Sequence, residues 1–208
     1  MHRLIIAALL AAAPAVAQER PSVTPTRDAT VTYRLQGTPG GAAGGSLSEM
    51  RIGFLAAQQL IRLDLPTGGG YIVADSRART GFLVSEAQRA VVVLPPGSGT
   101  AGMLPHESAN YTREGADTVA GFPCTLWRVD DAGRSARACI TTDGLILRAE
   151  GQNGRMEAVA VDRTPLDPRR FERPTGFRVM QAPSDVPAGA GATLPRGTAL
   201  PPPGLPGR

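Results

Sequence analysis

The sequence predicts a mainly β protein, α+β at most, built as a curved antiparallel meander: a half-barrel of roughly 8–10 strands with one or two short helices. Apolar and polar residues alternate in "ATVTYRL" (29–35) and "LIRLDL" (60–65), which is typical of half-buried antiparallel strands. Turn residues such as "TGGG" (67–70) recur about every ten residues. No Gly-rich phosphate loop joins a strand to a helix, which excludes the common nucleotide-binding folds.

The remaining elements follow from the same patterns. Further strands are predicted at 71–75, 80–85, 90–95, 109–115, 145–150 and 156–162, and "GQNG" (151–154) is a hairpin signal. The stretch 50–62 is compatible with a short helix, but we favour two strands with an irregular junction. Asp167 followed by Pro168 predicts the start of a single helical turn.

The ends of the chain differ in composition from its centre. Arg3, the apolar run "LIIAALLAAA" (4–13) and "AVA" (15–17) predict a secretory signal peptide over residues 1–17. We expect a linker at 18–28, one β domain at 29–180, and a disordered Pro-, Gly- and Ala-rich tail at 181–208. No other run is long and apolar enough for a transmembrane segment, so a periplasmic protein is expected.

The net charge of +4 is carried by arginine alone, because the chain contains no lysine. A basic chain can indicate an anionic partner. It can equally reflect replacement of lysine by arginine on an ordinary surface, which we favour because acidic residues lie among the arginines. The predicted export argues against nucleic acid as a partner.

The two cysteines flank the turn sequence "DDAG" (130–133). If these four residues form the hairpin loop, Cys124 lies directly opposite Cys139, and Trp127 lies opposite Ala136. Opposed strand residues are close enough for a disulfide, and an exported protein meets an oxidising compartment. Closing a loop of about 15 residues contributes about 3 kcal/mol in the chain-entropy model.

Other chemistry is poorly supported by the sequence. A redox site of the thioredoxin type needs Cys-x-x-Cys, and zinc needs four ligands where the mature chain offers two cysteines and His106. His106 has no accompanying G-x-S-x-G nucleophile motif. We therefore predict a disulfide, no catalytic residues, no metal and no cofactor.

Three segments resemble a known group of proteins. They are "GADTVAGFPC" (115–124), "CITTDGLILRAEG" (139–151) and "FERPTGFRVM" (171–180). With the preceding meander they resemble uncharacterised periplasmic proteins related to the lipoprotein-carrier superfamily of LolA/LolB-like half-barrels. The resemblance covers about 120 residues and implies a half-barrel whose curved sheet shelters an apolar ligand. The carriers also have lid helices, for which this sequence shows little sign.

The resulting expectation is a non-catalytic periplasmic protein that binds or carries a lipid, a lipoprotein acyl chain or another hydrophobic small molecule. Inward apolar positions are the candidate contacts, although core packing explains them as well: Ile61, Leu63, Val73, Phe82 and Val92. The alternative is a structural or interaction protein of the cell envelope that uses its sheet and Pro-rich tail to bind a protein partner.

Overall fold

The structure is a computed structural model that describes residues 19–37, 48–65, 68–96, 109–131, 133–152 and 154–182. The predicted signal peptide, His106 and the tail beyond residue 182 lie outside the described residues. The described part is dominated by strands, which confirms the predicted fold class.

Twelve strands are present in the described residues, more than the number expected. They are β1 (Ala29–Gln36), β2 (Ser48–Leu55), β3 (Leu60–Asp64), β4 (Gly70–Asp75), β5 (Thr80–Ser85), β6 (Ala90–Leu94), β7 (Asn110–Val119), β8 (Phe122–Asp131), β9 (Arg134–Ile140), β10 (Ile146–Gly151), β11 (Gly154–Asp162) and β12 (Arg178–Gln181).

All twelve strands belong to one sheet in the order β12-β6-β5-β4-β3-β2-β1-β11-β10-β9-β8-β7. The chain therefore makes two meanders: the first meander, β1 to β6, and the second meander, β7 to β11. They meet where β1 pairs antiparallel with β11. β6 and β7 are consecutive in the chain but lie near opposite ends of the strand order, which local strand patterns cannot predict.

The last strand is the exception to the antiparallel rule. β12 pairs parallel with β6, with Val179 beside Val91 and Met180 beside Val92. The sequence patterns did not predict this strand, because four residues are too few for a periodic signal. The β structure consequently extends one residue beyond the expected domain end, to Gln181.

Two 3-10 turns interrupt the strands in the described residues. Ala56–Gln58 separates β2 from β3, and Gln59 follows in the left-handed conformation, so the favoured strand pair with an irregular junction is confirmed. Pro168–Phe171 forms the other turn, where the Asp167 side chain accepts a hydrogen bond from the Arg169 amide. This cap agrees with the predicted helical start.

The cysteine hairpin forms in a different register from the predicted one. Asp131 pairs with Arg134, so the loop has two residues, and Leu126 rather than Cys124 lies opposite Cys139. The disulfide nevertheless joins Cys124 to Cys139 across a diagonal, with a Cα–Cα distance of 5.4 Å. Trp127 lies opposite Ala138 instead of Ala136. Tight two-residue hairpins ending in glycine suit the strand twist better than the four-residue loop.

The segments before β1 and after β11 pack onto the sheet. In the expected linker, Val23 contacts a cluster around Trp127, Arg20 donates a hydrogen bond to the Ala109 carbonyl (2.7 Å), and the Thr26 amide donates to the Asp143 carbonyl (2.9 Å). The C-terminal strap, which we define as residues 163–177, crosses the first meander. The sheet is therefore covered by its own chain at two separate places.

Candidate functional site

The first meander has two apolar faces, which cross-strand pairing distinguishes. Directly paired residues share a face of the sheet. Four such partners form a row across β3 to β6: Leu63, Ile72, Leu83 and Val92. Ile61 lies two residues from the first of them and therefore on the same side. We call this side, formed by those five residues, the apolar face.

The opposite side is covered by the C-terminal strap and is called here the strapped face. Its buried residues are Tyr71, Val73, Phe82, Val84 and Val91, and they pack against Leu166, Phe171 and Phe177 of the strap. This surface is a second hydrophobic core. Little of it is left to receive a ligand.

The predicted ligand contacts are divided between these faces. Ile61, Leu63 and Val92 lie on the apolar face, whereas Val73 and Phe82 lie on the strapped face, where they are buried. A single ligand on one side of the sheet cannot contact all five. Strand patterns do not reveal this division because both faces of β4 are apolar, and alternation then no longer identifies the inward side.

The apolar face is only partly buried. Leu83 is 5% exposed, but Ile61, Leu63, Ile72 and Val92 all retain intermediate exposure. Ile61 and Leu63 also pack against the central cluster that contains Val31, Tyr33 and Ile52 of the adjoining strands. The apolar face is thus continuous with the core at β1 and more accessible toward β6.

The central cluster extends the apolar surface into the second meander. It includes Leu147 and both cysteines of the disulfide, all nearly or fully buried. Its one large polar group is Tyr33, whose hydroxyl donates a hydrogen bond to the Ile146 carbonyl at 2.8 Å. Burial raises the pKa of Tyr33 above its usual range, so the phenol stays neutral and serves as a buried donor.

A charged groove of about 410 Å³ lies on the second meander. It is lined by Leu126, Ala138, Cys139 and four charged residues: Glu114, Arg137, Arg148 and Glu150. Arg137 is 3.0 Å from Glu114, and Arg148 is 2.6 Å from Asp117 and 3.2 Å from Glu157. These cations already have carboxylate partners, so the groove is an ion-pair network between strands.

The ion pairs shift the carboxyl pKa values in a consistent direction. The hydrogen bond from the Arg148 guanidinium holds the pKa of Asp117 below its usual range, and one from Arg155 does the same for Glu157. Burial acts to raise the pKa of Asp143, but hydrogen bonds from Thr141 and Arg163 outweigh it and the pKa is lowered. All three carboxylates are therefore ionised at neutral pH and unsuited to act as general acids.

A small apolar cavity lies where the N-terminal segment crosses β2 and β3. Its volume is about 20 Å³, and Val23, Pro25, Phe54 and Ile61 are among its lining residues. That space holds about one water molecule, so it is not a ligand site.

Few side chains in the described part of the chain are suited to catalysis or to metal binding. No group of three or more metal-ligating side chains lies together among residues 19–182 as described, and neither cysteine there is a free thiol. His106 lies outside the described ranges. Among the described helices, none is long and apolar enough to cross a membrane.

Sequence reasoning missed the C-terminal strap and the ion pairs centred on Arg148. Asp117, Arg148 and Glu157 come from three strands, and the first is 31 residues from the second. The predicted hairpin at 151–154 places Arg148 opposite Glu157, but no local motif links either residue to Asp117. Only the tertiary structure brings Asp117 to Arg148.

No protein-family model matches the chain, and no curated protein matches it in sequence. Its fold is similar to that of an uncharacterized conserved protein from Thermus thermophilus, which is 14% identical, with 76% of this chain and 91% of that chain covered and a TM-score of 0.51. It is also similar to PNGF-II, 11% identical with a TM-score of 0.51, where 76% of this chain matches only 31% of that chain. Both likenesses concern the fold alone.

The fold also gives a weaker match to a third solved structure. It is a candidate outer membrane lipoprotein-sorting domain from Vibrio parahaemolyticus, 11% identical, with 70% of this chain and 89% of that chain covered and a TM-score of 0.38. At this level of similarity nothing about ligands follows from it.

Proposed function

We propose that this chain is a non-catalytic periplasmic protein that binds a hydrophobic ligand, a lipid or an acyl chain, on the apolar face of its first meander. The observation that carries the proposal is the asymmetry of that meander. Its strapped face is covered by Phe171 and its neighbours, whereas four of the five aliphatic side chains of the apolar face remain partly exposed. Monomeric soluble proteins rarely leave a contiguous apolar surface without a use.

The periplasmic location is supported by the signal peptide predicted from the sequence and by the disulfide. A bridge between Cys124 and Cys139 is expected to persist in an oxidising compartment. The partial exposure of the row along the apolar face favours an open binding surface over a closed cavity. A ligand there would be held by contact with aliphatic side chains, without charge recognition.

The direct test is native purification from the periplasm, followed by organic extraction and mass spectrometry. The proposal expects one lipid or fatty acid in a fixed ratio to protein. Binding of a fluorescent long-chain fatty acid to delipidated protein then measures affinity. Extracts without any lipid, together with no binding of the fluorescent fatty acid, would refute the proposal.

Matched variants locate the binding surface. Leu63→Gln and Val92→Gln each place an amide on the apolar face, and each should weaken fatty-acid binding about tenfold or more, because an aliphatic contact is worth about 1.5–3 kcal/mol. Val159→Gln is the control, since Val159 is 37% exposed on β11, away from that face. Equal effects of all three variants would contradict this location.

The alternative, an interaction protein of the envelope, is separated by the same purification. Protein that yields clean extracts but retains a stoichiometric protein partner would favour it. The Pro-rich tail assigned to that role lies outside the described residues.

A further inference from the structure

The sheet has two edge strands, β7 and β12, and they differ in how they are protected. An unprotected edge presents unpaired backbone groups that attract another strand. β7 carries three common protections. A bulge interrupts its pairing between Arg113 and Gly115, its charged side chains form ion pairs with Glu19, Arg137 and Arg148, and the Thr118 amide is taken by the Asp117 carboxylate at 2.7 Å.

β12 lacks these protections. The amides of Arg178 and Ala182 donate to the carbonyls of Arg89 and Val93, both at 2.9 Å. Because successive residues of a strand direct their backbone groups to opposite sides, those of Val179 and Gln181 point away from β6. Val179 is also the most exposed of the large hydrophobic side chains described, at 56%.

The surroundings of β12 are basic, and its cations lack acidic partners. Two exposed arginines lie at this edge, Arg178 in β12 and Arg89 beside it, and exposed Arg173 of the strap lies over Phe82 of β5. The other two exposed arginines of the strap, Arg169 and Arg170, lie farther away, in the turn that packs on β3. No ion pair involves any of them among the described residues, in contrast to the paired arginines of the charged groove. Two of them stack on rings instead, Arg89 5.0 Å from the centre of Phe177 and Arg173 5.4 Å from that of Phe82.

We propose that the outer edge of β12 binds an extended acidic segment of a protein partner, which adds to the sheet as a further strand. Backbone groups at Val179 and Gln181 supply hydrogen bonds, and Arg89 and Arg178 supply charge complementarity. Although Met180 of β12 adjoins the apolar face beside Val92, the proposal does not depend on lipid binding, because it uses the outward backbone groups of β12.

The pairing of β12 with β6 also determines which residue types the added strand must place on each side of the sheet. Val179 lies beside Val91 on the strapped face, whereas Arg178 lies beside Ala90 on the other side of the sheet. A strand added next to β12 must therefore alternate, with an apolar residue beside Val179 and an acidic residue beside Arg178.

Other occupants fit this edge less well. A second copy would offer another β12 edge, which carries Arg178 and no acidic residue and therefore lacks charge complementarity. Residues 183–208 contain seven prolines and a single acidic residue, Asp185. Proline has no N–H for a ladder, which makes this sequence a poor candidate for the added strand. An anionic lipid surface would satisfy the arginines but would leave the backbone groups of β12 without a strand partner.

The test uses the full mature chain and a fluorescein-labelled synthetic peptide, Glu-Val-Glu-Val-Glu-Val-Glu, measured by fluorescence anisotropy. The proposal expects saturable binding that weakens with added salt. A peptide with lysine in place of glutamate, and a glutamate peptide N-methylated on alternate residues, should each bind at least about tenfold more weakly, because they remove the charge match and the ladder hydrogen bonds. Equal binding of the N-methylated peptide would overturn the proposal.

Variants of the protein test the same edge independently. Val179→Pro removes an outward amide but leaves the β12–β6 hydrogen bonds donated by Arg178 and Ala182, and it should reduce peptide binding at least about tenfold. Arg178→Glu should reduce it comparably, whereas Arg77→Glu, on the exposed β4–β5 turn, should not. Unchanged binding by both edge variants would overturn the proposal, as would binding to phosphatidylglycerol vesicles without any binding of the peptide.

Discussion

The two meanders of this sheet have similar strands but are stabilised by different interactions. The first is packed on its strapped face by the C-terminal strap, and Arg62 lies 3.5 Å from the centre of the Tyr71 ring. The second contains the disulfide and most of the ion pairs, including those of Arg148 and Arg155. The first therefore depends on hydrophobic burial, and the second on a covalent bond and on charge.

The two meanders should therefore respond differently to changes in pH and redox conditions. Hydrophobic packing is nearly independent of pH and redox state, whereas disulfides and carboxylate pairs are not. Damage to the strap should affect the first meander, and reduction or acid should affect the second.

The largest effect is expected for Phe171→Ala. Phe171 is 4% exposed between the strap and the first meander, and truncation of a buried phenylalanine costs about 3–5 kcal/mol. Urea denaturation measures the loss, and hydrogen exchange should show it first in β4 and β5. Val159→Ala, at an exposed position, should change the free energy of unfolding by less than about 0.5 kcal/mol. A loss at Phe171 as small as the control would mean that the strap does not stabilise the first meander.

Removal of the disulfide comes next. The double variant Cys124→Ala and Cys139→Ala should lose about 3 kcal/mol, because the bridge closes a loop of about 15 residues. Hydrogen exchange should increase in β8 and β9 more than in β4 and β5. Reductant should destabilise the wild-type protein and leave the double variant unchanged. Uniform loss of protection in both meanders would show that they unfold as one unit.

A smaller effect is expected where the N-terminal segment contacts the second meander. Gly144 has a φ of +89°, and an added Cβ would overlap the Thr24 carbonyl. Gly144→Ala should therefore cost about 1–3 kcal/mol, from strain and displacement of that segment. Gly121→Ala is the matched control, since φ is +81° but no atom lies within 4 Å. Similar losses for both variants would show that backbone strain alone is responsible.

The smallest effect concerns pH. The pKa values of Asp117 and Glu157 are lowered in the folded protein, chiefly by the hydrogen bonds from Arg148 and Arg155. A lowered folded-state pKa contributes stability that is present above the ordinary carboxyl pKa of about 4 and is lost as the pH falls through the folded value. The urea midpoint should thus fall on acidification below about pH 4, and less so in Arg148→Met. If the urea midpoints of both proteins depended on pH in the same way, the ion pairs of Arg148 would not contribute to stability.

Much of the fold followed from local sequence patterns. β1 and β5 were predicted almost residue for residue, because alternation in β1 and a short apolar run between turn residues in β5 both favour strands. The cysteine pairing was also predicted correctly, although from a register that is two residues away from the observed one. A diagonal pair remains within disulfide reach, so the correct bond did not require the correct register.

The candidate site was less accessible from sequence. Ile61, Leu63 and Val92 share the apolar face, but Val73 and Phe82 belong to the strapped face. The strand β4 is apolar on both sides, so its sequence holds no information about which side the strap covers. That depends on a segment about 90 residues further along the chain.

The sequence by itself thus determined most of the strands and turns and the pairing of the cysteines, since each depends on residues that are near in the chain. Only the tertiary structure decided the order of the two meanders, the position of the strap, the ion pair of Arg148 with Asp117 and the exposed edge at β12. Those features join strands that are far apart in sequence, and their energies arise from contacts that no local pattern encodes.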